Sequence, residues 1–158
     1  MNHWVVKTKP TAFSWDDLVA LPDATVTWAG VRNYQARNYM RDTMRPGEPV
    51  LFYHSQTRTP AVVGVAEVAS PGRPDPTQFD PSHRRYDPAA SFEKPRWYAV
   101  GIRAVRRLER PVTLRELRGE PELESLELLR RGSMLTVHPI AAAAFLRILQ
   151  LAAVNPAE

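Results

Sequence analysis

The sequence WAGVRNYQARNYMR, residues 28–41, is the stretch from which the fold of this chain is most directly inferred. Gly30 stands near its start as a turn residue, and the next glycine or proline is found at Pro46-Gly47. Glycine and proline punctuate secondary structure, so a long interval without either favours a continuous helix. The pattern therefore predicts a helix from Val31 to Arg45.

Two rows of side chains, each at a spacing of four residues, run along this predicted helix on separate faces. The apolar row is expected to pack on a core and comprises Ala36, Met40 and Met44. The other row is basic and comprises Arg37, Arg41 and Arg45. Asp42 is the only acid within the helix, so local ion pairing does not account for the basic row. The alternatives are a solvated face and a surface that tracks the backbone of a nucleic acid.

The start of the predicted helix carries three side chains that suit an anionic ligand. Free backbone N–H groups and the helix dipole favour an anion there, and Trp28, Arg32 and Asn33 crowd the same turn. An aromatic ring, a guanidinium and an amide are suited to a phosphate or a nucleobase. The alternatives are that Trp28 belongs to the core and that Asn33 satisfies backbone groups at the helix start.

Length and composition are those of one globular domain, which we expect to span residues 1–158. The N-terminus has no apolar signal region and no apolar run reaches membrane-spanning length, so we expect a cytoplasmic protein with no membrane partner. The net charge of +4 and the sequence pI near 9.8 suit a polyanionic partner. Most basic residues are arginine, which favours phosphate contacts, although a coding bias toward Arg, Ala and Pro is the alternative.

The chain lacks the residues, or the spacing between residues, that several kinds of chemistry require. There is no cysteine, which excludes disulfides, thiolate metal sites and cysteine nucleophiles. No metal is expected because the four histidines lack ligand spacing; they are His3, His54, His83 and His138. No glycine-rich nucleotide-binding loop occurs, so no cofactor is expected. His54 and Ser55 are adjacent on a predicted strand and point to opposite faces, which excludes a local Ser-His pair.

Hydrophobic periodicity and turn residues predict an α+β fold with one long irregular loop. Strands are predicted at residues 3–8, 50–55, 61–69, 97–108 and 133–137. Short helices are expected after the N-caps Ser14 and Thr113, and a last helix at residues 141–152. The proline-rich segment Ser70–Pro95 is either an ordered loop between two strands whose basic side chains add to a binding surface, or a loop that is stiffened by proline and has no ligand role.

The central stretch resembles the signature of the EVE domain family over residues 28–38, WAGVRNYQARN. Further segments match that family in the expected order: WVVKTKP (4–10), FSWDDL (13–18), FYHS (52–55), VGVAEV (63–68), PDPTQFD (74–80), RW (96–97) and RGSMLTV (131–137). The likeness covers nearly the whole chain. Two residues depart from the family pattern, since Lys9 stands where an acid is usual and Met134 where an arginine is usual. Both departures bear on the choice of ligand.

The resemblance implies a PUA-like fold, which is an open β-barrel of about five to six strands flanked by helices. It also implies a ligand pocket beside the barrel, bordered by the end of the first strand, the start of the central helix and the FYHS strand. On this chain those positions are Lys7, Trp28, Arg32, Asn33, Tyr53, His54, Ser55 and Ser133. The aromatic members of this set are suited to stacking on a flipped base, and the polar and basic members to its edge and its phosphate.

The function that the resemblance implies is a non-catalytic module that binds DNA or RNA and recognises a modified base, such as a modified cytosine. The arginine row would then track the nucleic-acid backbone. One alternative is a nucleic-acid-processing enzyme that uses Lys7, His54 and Glu67. The other is a PUA-like domain that binds a small molecule or a protein and no nucleic acid.

Overall fold

The computed structural model describes residues 1–154, which are built around one mixed sheet of six strands. The strands are β1 (His3–Thr8), β2 (Thr25–Trp28), β3 (Pro49–His54), β4 (Ala61–Pro74), β5 (Tyr98–Thr113) and β6 (Val137–Ile140). Their order across the sheet is β2-β5-β4-β3-β1-β6, with β1 parallel to β3 and the other neighbours antiparallel. β2 and β6 are the outer strands, so the sheet is not closed. The single-domain prediction stays a prediction, and its residues 155–158 lie outside the described residues.

Helices cover both faces of this sheet. Within residues 1–154 the α-helices are α1 (Trp15–Ala20), α2 (Tyr34–Asn38), α3 (Leu114–Arg118) and α4 (Ala142–Ala153). A π turn at Tyr39–Thr43 continues α2, and short 3-10 turns lie at Pro22–Ala24, Pro76–Phe79, Pro121–Leu123 and Glu127–Leu129. The predicted α+β class and the predicted number of strands are confirmed.

The sheet separates two apolar cores, because successive side chains of a strand point to opposite faces. On β1, Trp4 faces the first core and Val5 faces the second. On β3, Phe52 faces the first core and Tyr53 faces the second. α1 and α2 close the first core, and α3 and α4 close the second. The apolar row of the central helix is fully buried in the first core, as predicted; it consists of Ala36, Met40 and Met44.

Two helices begin at the N-caps that the sequence predicts. The Ser14 hydroxyl accepts the N–H of Asp17 at 3.0 Å, and the Asp17 carboxylate accepts the N–H of Ser14 at 2.8 Å. Thr113 and Glu116 form the same reciprocal pair at the start of α3. These capping boxes satisfy N–H groups for which a helix start has no intrahelical partner.

The central helix is shorter than the predicted span Val31–Arg45. Asn33 is its N-cap, and its side chain accepts the N–H of Ala36 at 2.9 Å. At the other end the π turn closes when the N–H of Met44 donates to the carbonyl of Tyr39 at 2.9 Å. Met44 then leaves the helix in an extended conformation. A run without glycine or proline does not reveal where a cap or a wider turn ends a helix, so the prediction was too long at both ends.

The last strand and the proline-rich segment also differ from the prediction. β6 begins at Val137, so the strand predicted at residues 133–137 is wrong, and residues 130–136 form a turn and a loop. β6 runs through Pro139, which is tolerated because this outer strand pairs only with β1. β4 continues to Pro74 and pairs with β5 through several register shifts. The first residues of the predicted loop Ser70–Pro95 are therefore strand.

Candidate functional site

An open cleft of about 450 Å³ lies where β1 and β3 end. Its walls come from the ends of those strands, from α3 and from the segment 128–136. Four of the residues predicted to bind a ligand line it, and they are Lys7, Tyr53, Ser55 and Ser133. Because Tyr53 belongs to the second core, the cleft opens on the side of the sheet that α3 and α4 cover.

Three of the predicted site residues in the cleft make no side-chain hydrogen bond within residues 1–154, and they are Lys7, Tyr53 and Ser55. Burial lowers the pKa of the Lys7 amine, and the nearby charge of Glu127 acts in the opposite direction. Burial raises the pKa of the Tyr53 hydroxyl, so this group stays protonated at neutral pH and can donate a hydrogen bond. Sheltered polar groups without a partner are available to a ligand that enters the cleft.

Ser133, the fourth predicted residue in the cleft, is held by its own loop. Its hydroxyl donates to the Glu127 carboxylate at 2.7 Å and accepts the N–H of Leu135 at 3.2 Å. Three arginines that the sequence pattern does not assign to the site also line the cleft: Arg118, Arg130 and Arg131. The prediction missed Arg130 and Arg131 because it placed a strand at residues 133–137. The structure instead has a loop there, and this loop brings the two arginines to the cleft.

Trp28 lies outside the cleft and inside the first core, where it is 9% exposed. Its ring makes edge contacts with Phe13 and Phe52, at centroid distances of 6.1 and 5.7 Å. The alternative interpretation of Trp28 as a core residue therefore describes its position. Stacking of this ring on a ligand would require the packed rings to separate.

Arg32 is also engaged within the protein. Its guanidinium lies 3.0 Å from the fully buried carboxylate of Asp75. It also donates to the Thr77 hydroxyl at 3.0 Å and to the Arg85 carbonyl at 2.6 Å. Asp75 in turn accepts the N–H of Gly30 at 2.7 Å. These bonds tie the turn before α2 to the segment after β4, so Arg32 has a structural role at this position.

His54 lies on the first-core side of the sheet. Its ring packs edge-on against Phe52 at 5.8 Å, and its Nε2 accepts the backbone N–H of Trp15 at 3.1 Å. Burial lowers the pKa of the His54 ring, which favours the neutral form that this hydrogen bond needs. The predicted divergence of His54 and Ser55 is confirmed, because Ser55 lines the cleft on the other side.

Asn33→Ala is expected to lower the free energy of unfolding by about 0.5–2 kcal/mol, the usual cost of losing a helix N-cap. The physical reason is that the N–H of Ala36 loses its acceptor. Chemical denaturation measures the change, with Asn38→Ala as the matched control because Asn38 is an amide at the other end of α2. Equal losses of stability in the two variants would contradict the capping role.

The structure thus brings together four of the eight residues that the sequence predicts for the ligand site. The other four lie away from the cleft and have partners within the protein: Trp28, Arg32, Asn33 and His54. The binding role of all eight residues stays a prediction.

The predicted arginine row lies on the opposite side of the sheet from the cleft, because it belongs to the helix that closes the first core. Arg41 pairs with Asp42 at 2.8 Å, so local ion pairing involves one member of the row and does not account for the other two. Arg37 is half-buried and donates to the carbonyl of Arg96 at 3.0 Å. Arg45 is exposed to solvent.

Aromatic rings alternate with these arginines on the surface of the first-core side. Tyr34 stacks on Trp97 at a centroid distance of 4.8 Å. The guanidinium of Arg37 lies 4.8 Å from the Tyr34 ring, and that of Arg41 lies 5.9 Å from the Tyr98 ring. Such cation–π contacts fix the direction of the arginine side chains while leaving part of each guanidinium available to an anion.

The three residues of the enzyme alternative do not meet. Lys7 lies in the cleft, His54 lies on the other side of the sheet, and Glu67 pairs with Arg103 at 2.6 Å. In the part of the chain that the structure describes, no group of three or more His, Asp and Glu side chains could hold a metal ion. No described helix has both the length and the apolar character needed to cross a membrane.

A model of the EVE domain matches residues 2–151 of this chain. The chain belongs to the EVE domain family. Among curated relatives, mouse thymocyte nuclear protein 1 is 36% identical, and the match covers 98% of this chain and 75% of the mouse protein. Human thymocyte nuclear protein 1 is 38% identical over a match that covers 74% of this chain and 56% of the human protein.

Solved structures of related proteins have the same architecture. Human thymocyte nuclear protein 1 in complex with DNA that contains 5-methylcytosine superposes with a TM-score of 0.92 at 34% identity, covering 99% of this chain and 100% of that one. A protein from Pseudomonas syringae superposes with a TM-score of 0.88 at 38% identity, covering 95% of this chain and 99% of that one. The fold is therefore the α+β, PUA-like fold that the resemblance implies.

Proposed function

We propose that this chain is a non-catalytic DNA-binding domain that holds a modified base, such as 5-methylcytosine, in the cleft. The observation that supports this most strongly is the structural match over nearly the whole chain to human thymocyte nuclear protein 1 bound to DNA with that base. The cleft of about 450 Å³ is of the size that small-molecule sites have in proteins.

The polar groups of the cleft suit the edge of a cytosine. A cytosine that leaves the base stack presents two acceptors and one amino donor on its pairing edge. Lys7 and Tyr53 supply donors, and the hydroxyl of Ser55 can donate or accept. The apolar side chains of Leu114 and Leu128, which also line the cleft, offer surface to the ring and its methyl group. The cleft thus matches both the polar and the apolar parts of a methylated cytosine.

The other four predicted site residues support binding from a distance in this proposal. Trp28 packs within the first core and fixes β2, and His54 bonds the start of α1 to the end of β3. Arg32 and Asn33 fix the start of α2. The cytoplasmic location expected from the sequence stays a prediction.

A binding titration with three matched duplexes tests the proposal. The duplexes share one sequence and carry one 5-methylcytosine, one unmodified cytosine or one 5-hydroxymethylcytosine at the same position. We expect fluorescence anisotropy to show tighter binding to one of the modified duplexes than to the unmodified duplex. Equal affinity for all three would contradict the proposed recognition of a modified base, and turnover of any strand would contradict the non-catalytic role.

The arginine row gives a separate prediction about the DNA backbone. The double variant Arg41→Gln, Arg45→Gln is expected to weaken binding to modified and unmodified duplexes alike. Every phosphate that the variant no longer neutralises should reduce the slope of log affinity against log salt by up to ~0.9. Arg37 is left in place because it also bonds the carbonyl of Arg96 within the fold. Anisotropy titrations at several salt concentrations measure the slope.

The double variant Arg106→Gln, Arg107→Gln is the matched control, because it removes the same charge from exposed side chains of β5. We expect it to change the salt slope less. If the two double variants behave alike, the arginine row acts only through the net charge of the protein and does not contact the backbone.

A further inference from the structure

A short loop with an apolar tip stands at the mouth of the cleft. Met134 lines the cleft and is 79% exposed, which is unusual for a large apolar side chain. Its loop neighbours Arg130 and Arg131 line the same cleft. The loop therefore presents one apolar side chain and two guanidinium groups beside the opening.

The exposure of Met134 follows from the way its loop is built. Gly132 has a φ of +74°, which turns the chain, and the N–H of Ser133 donates to the carbonyl of Arg130 at 3.3 Å. The Ser133 hydroxyl is bonded to Glu127 and to the N–H of Leu135. The Leu135 side chain is buried in the first core. Met134 thus lies between two anchored residues, so the fold of the loop directs its side chain outward.

A wedge is useful to a protein that takes a base out of a duplex. The extruded base leaves a gap, and the loss of stacking around that gap costs free energy. Apolar side chains such as Met, inserted between base steps, offset part of this cost. Methionine adapts its shape to an irregular gap because it is unbranched and flexible. An exposed methionine beside a base-sized cleft is therefore suited to filling the gap that the extruded base leaves.

We infer that Met134 inserts into the DNA duplex at the position vacated by the base, while Arg130 and Arg131 contact the phosphates on either side. This inference rests on the proposed function, since it assumes that the cleft takes up the base. Charge complementarity supports a DNA duplex as the partner of this loop, because both arginines lie close to Met134 in the chain and can neutralise phosphates. Contacts with the phosphates on either side leave the Met134 side chain free to enter the base stack.

A comparison of duplex and single-stranded DNA separates the wedge from ordinary ligand binding. A single strand that carries 5-methylcytosine needs no opening of a base pair, so the wedge contributes little there. Met134→Ala should weaken binding to the 5-methylcytosine duplex roughly tenfold and leave binding to the single strand unchanged. Met134→Leu keeps an apolar tip and should retain most of the duplex affinity.

Leu146→Ala is the matched control, because Leu146 is an exposed apolar residue of α4 that does not line the cleft. It should leave both affinities unchanged. Unchanged duplex binding in Met134→Ala, or equal losses on duplex and single strand, would overturn the wedge. Failure of the proposed function has a different signature, since the wild-type protein would then bind modified and unmodified DNA equally.

Discussion

Asp75→Asn is expected to lower the free energy of unfolding by about 3–5 kcal/mol, the cost of removing one partner of a buried ion pair. The Asp75 carboxylate is fully buried and accepts from the guanidinium of Arg32 and the N–H groups of Gly30 and Thr77. An amide in its place carries no charge and points a donor at other donors, so the Arg32 charge loses its counter-charge. Chemical denaturation followed by tryptophan fluorescence measures the decrease in stability.

Asp80→Asn is the matched control, because Asp80 makes the same local turn on the surface. The Asp80 carboxylate accepts the N–H and the hydroxyl of Ser82 at 2.9 and 2.7 Å. Asp75 bonds Thr77 in the same way at 2.8 and 2.7 Å. No Lys or Arg among residues 1–154 forms a salt bridge with Asp80, so we expect a much smaller decrease in stability than for Asp75→Asn. Similar decreases in both variants would show that the turn, and not the pair with Arg32, determines the effect.

The same carboxylate makes part of the stability dependent on pH. Burial raises the pKa of Asp75, but hydrogen bonds from Thr77, Gly30 and Arg32 outweigh burial and hold the pKa below its usual value. The unfolded aspartate has a pKa of about 3.9, so the contribution to stability is complete above that pH and is lost as the pH falls toward the folded pKa. The difference in unfolding free energy between the wild type and Asp75→Asn should therefore shrink as the pH is lowered below about 3.9.

Local features of the fold could be predicted from the sequence because their causes are local. Ser14 and Thr113 begin helices since a hydroxyl and a carboxylate three residues later satisfy the first N–H groups. The burial of Met40 follows from a spacing of four residues on a helix. The opposite directions of His54 and Ser55 follow from the alternation of a strand. In each case the residues that decide the outcome lie within a few positions of one another.

The rest of the site depends on pairs of residues that are distant in sequence. Arg32 is suited to a phosphate by its chemistry, but its charge is matched by Asp75, forty-three positions further along the chain. Trp28 is suited to stacking on a base, but its ring packs against Phe52 from β3 instead. Arg118 reaches the cleft only because α3 packs over the second core beside Tyr53. Side-chain chemistry identified candidate ligand groups, and tertiary packing decided which of them remained unpaired.

Lys7→Met is expected to weaken binding to 5-methylcytosine DNA by about 1.5–3 kcal/mol, the scale of a hydrogen bond to a charged group. The same change should leave the melting temperature equal or higher. The Lys7 amine is sheltered, burial lowers its pKa, and no salt bridge to it is formed within residues 1–154. Methionine has a similar length and no charge, so it removes the cost of desolvating the amine. Thermal unfolding and anisotropy titration on the same preparation measure the two effects.

Lys9→Met is the matched control, because Lys9 is exposed two residues along the chain and the variant loses the same charge. We expect it to reduce affinity less, since it acts only through the overall field, which salt screens. Lower affinity together with higher stability in Lys7→Met would identify an amine that is kept in the cleft for a ligand. Binding sites often sacrifice stability for function in this way. A clear fall in melting temperature for Lys7→Met, or the same decrease in affinity for both variants, would show that the amine serves the fold or the net charge and does not contact the base.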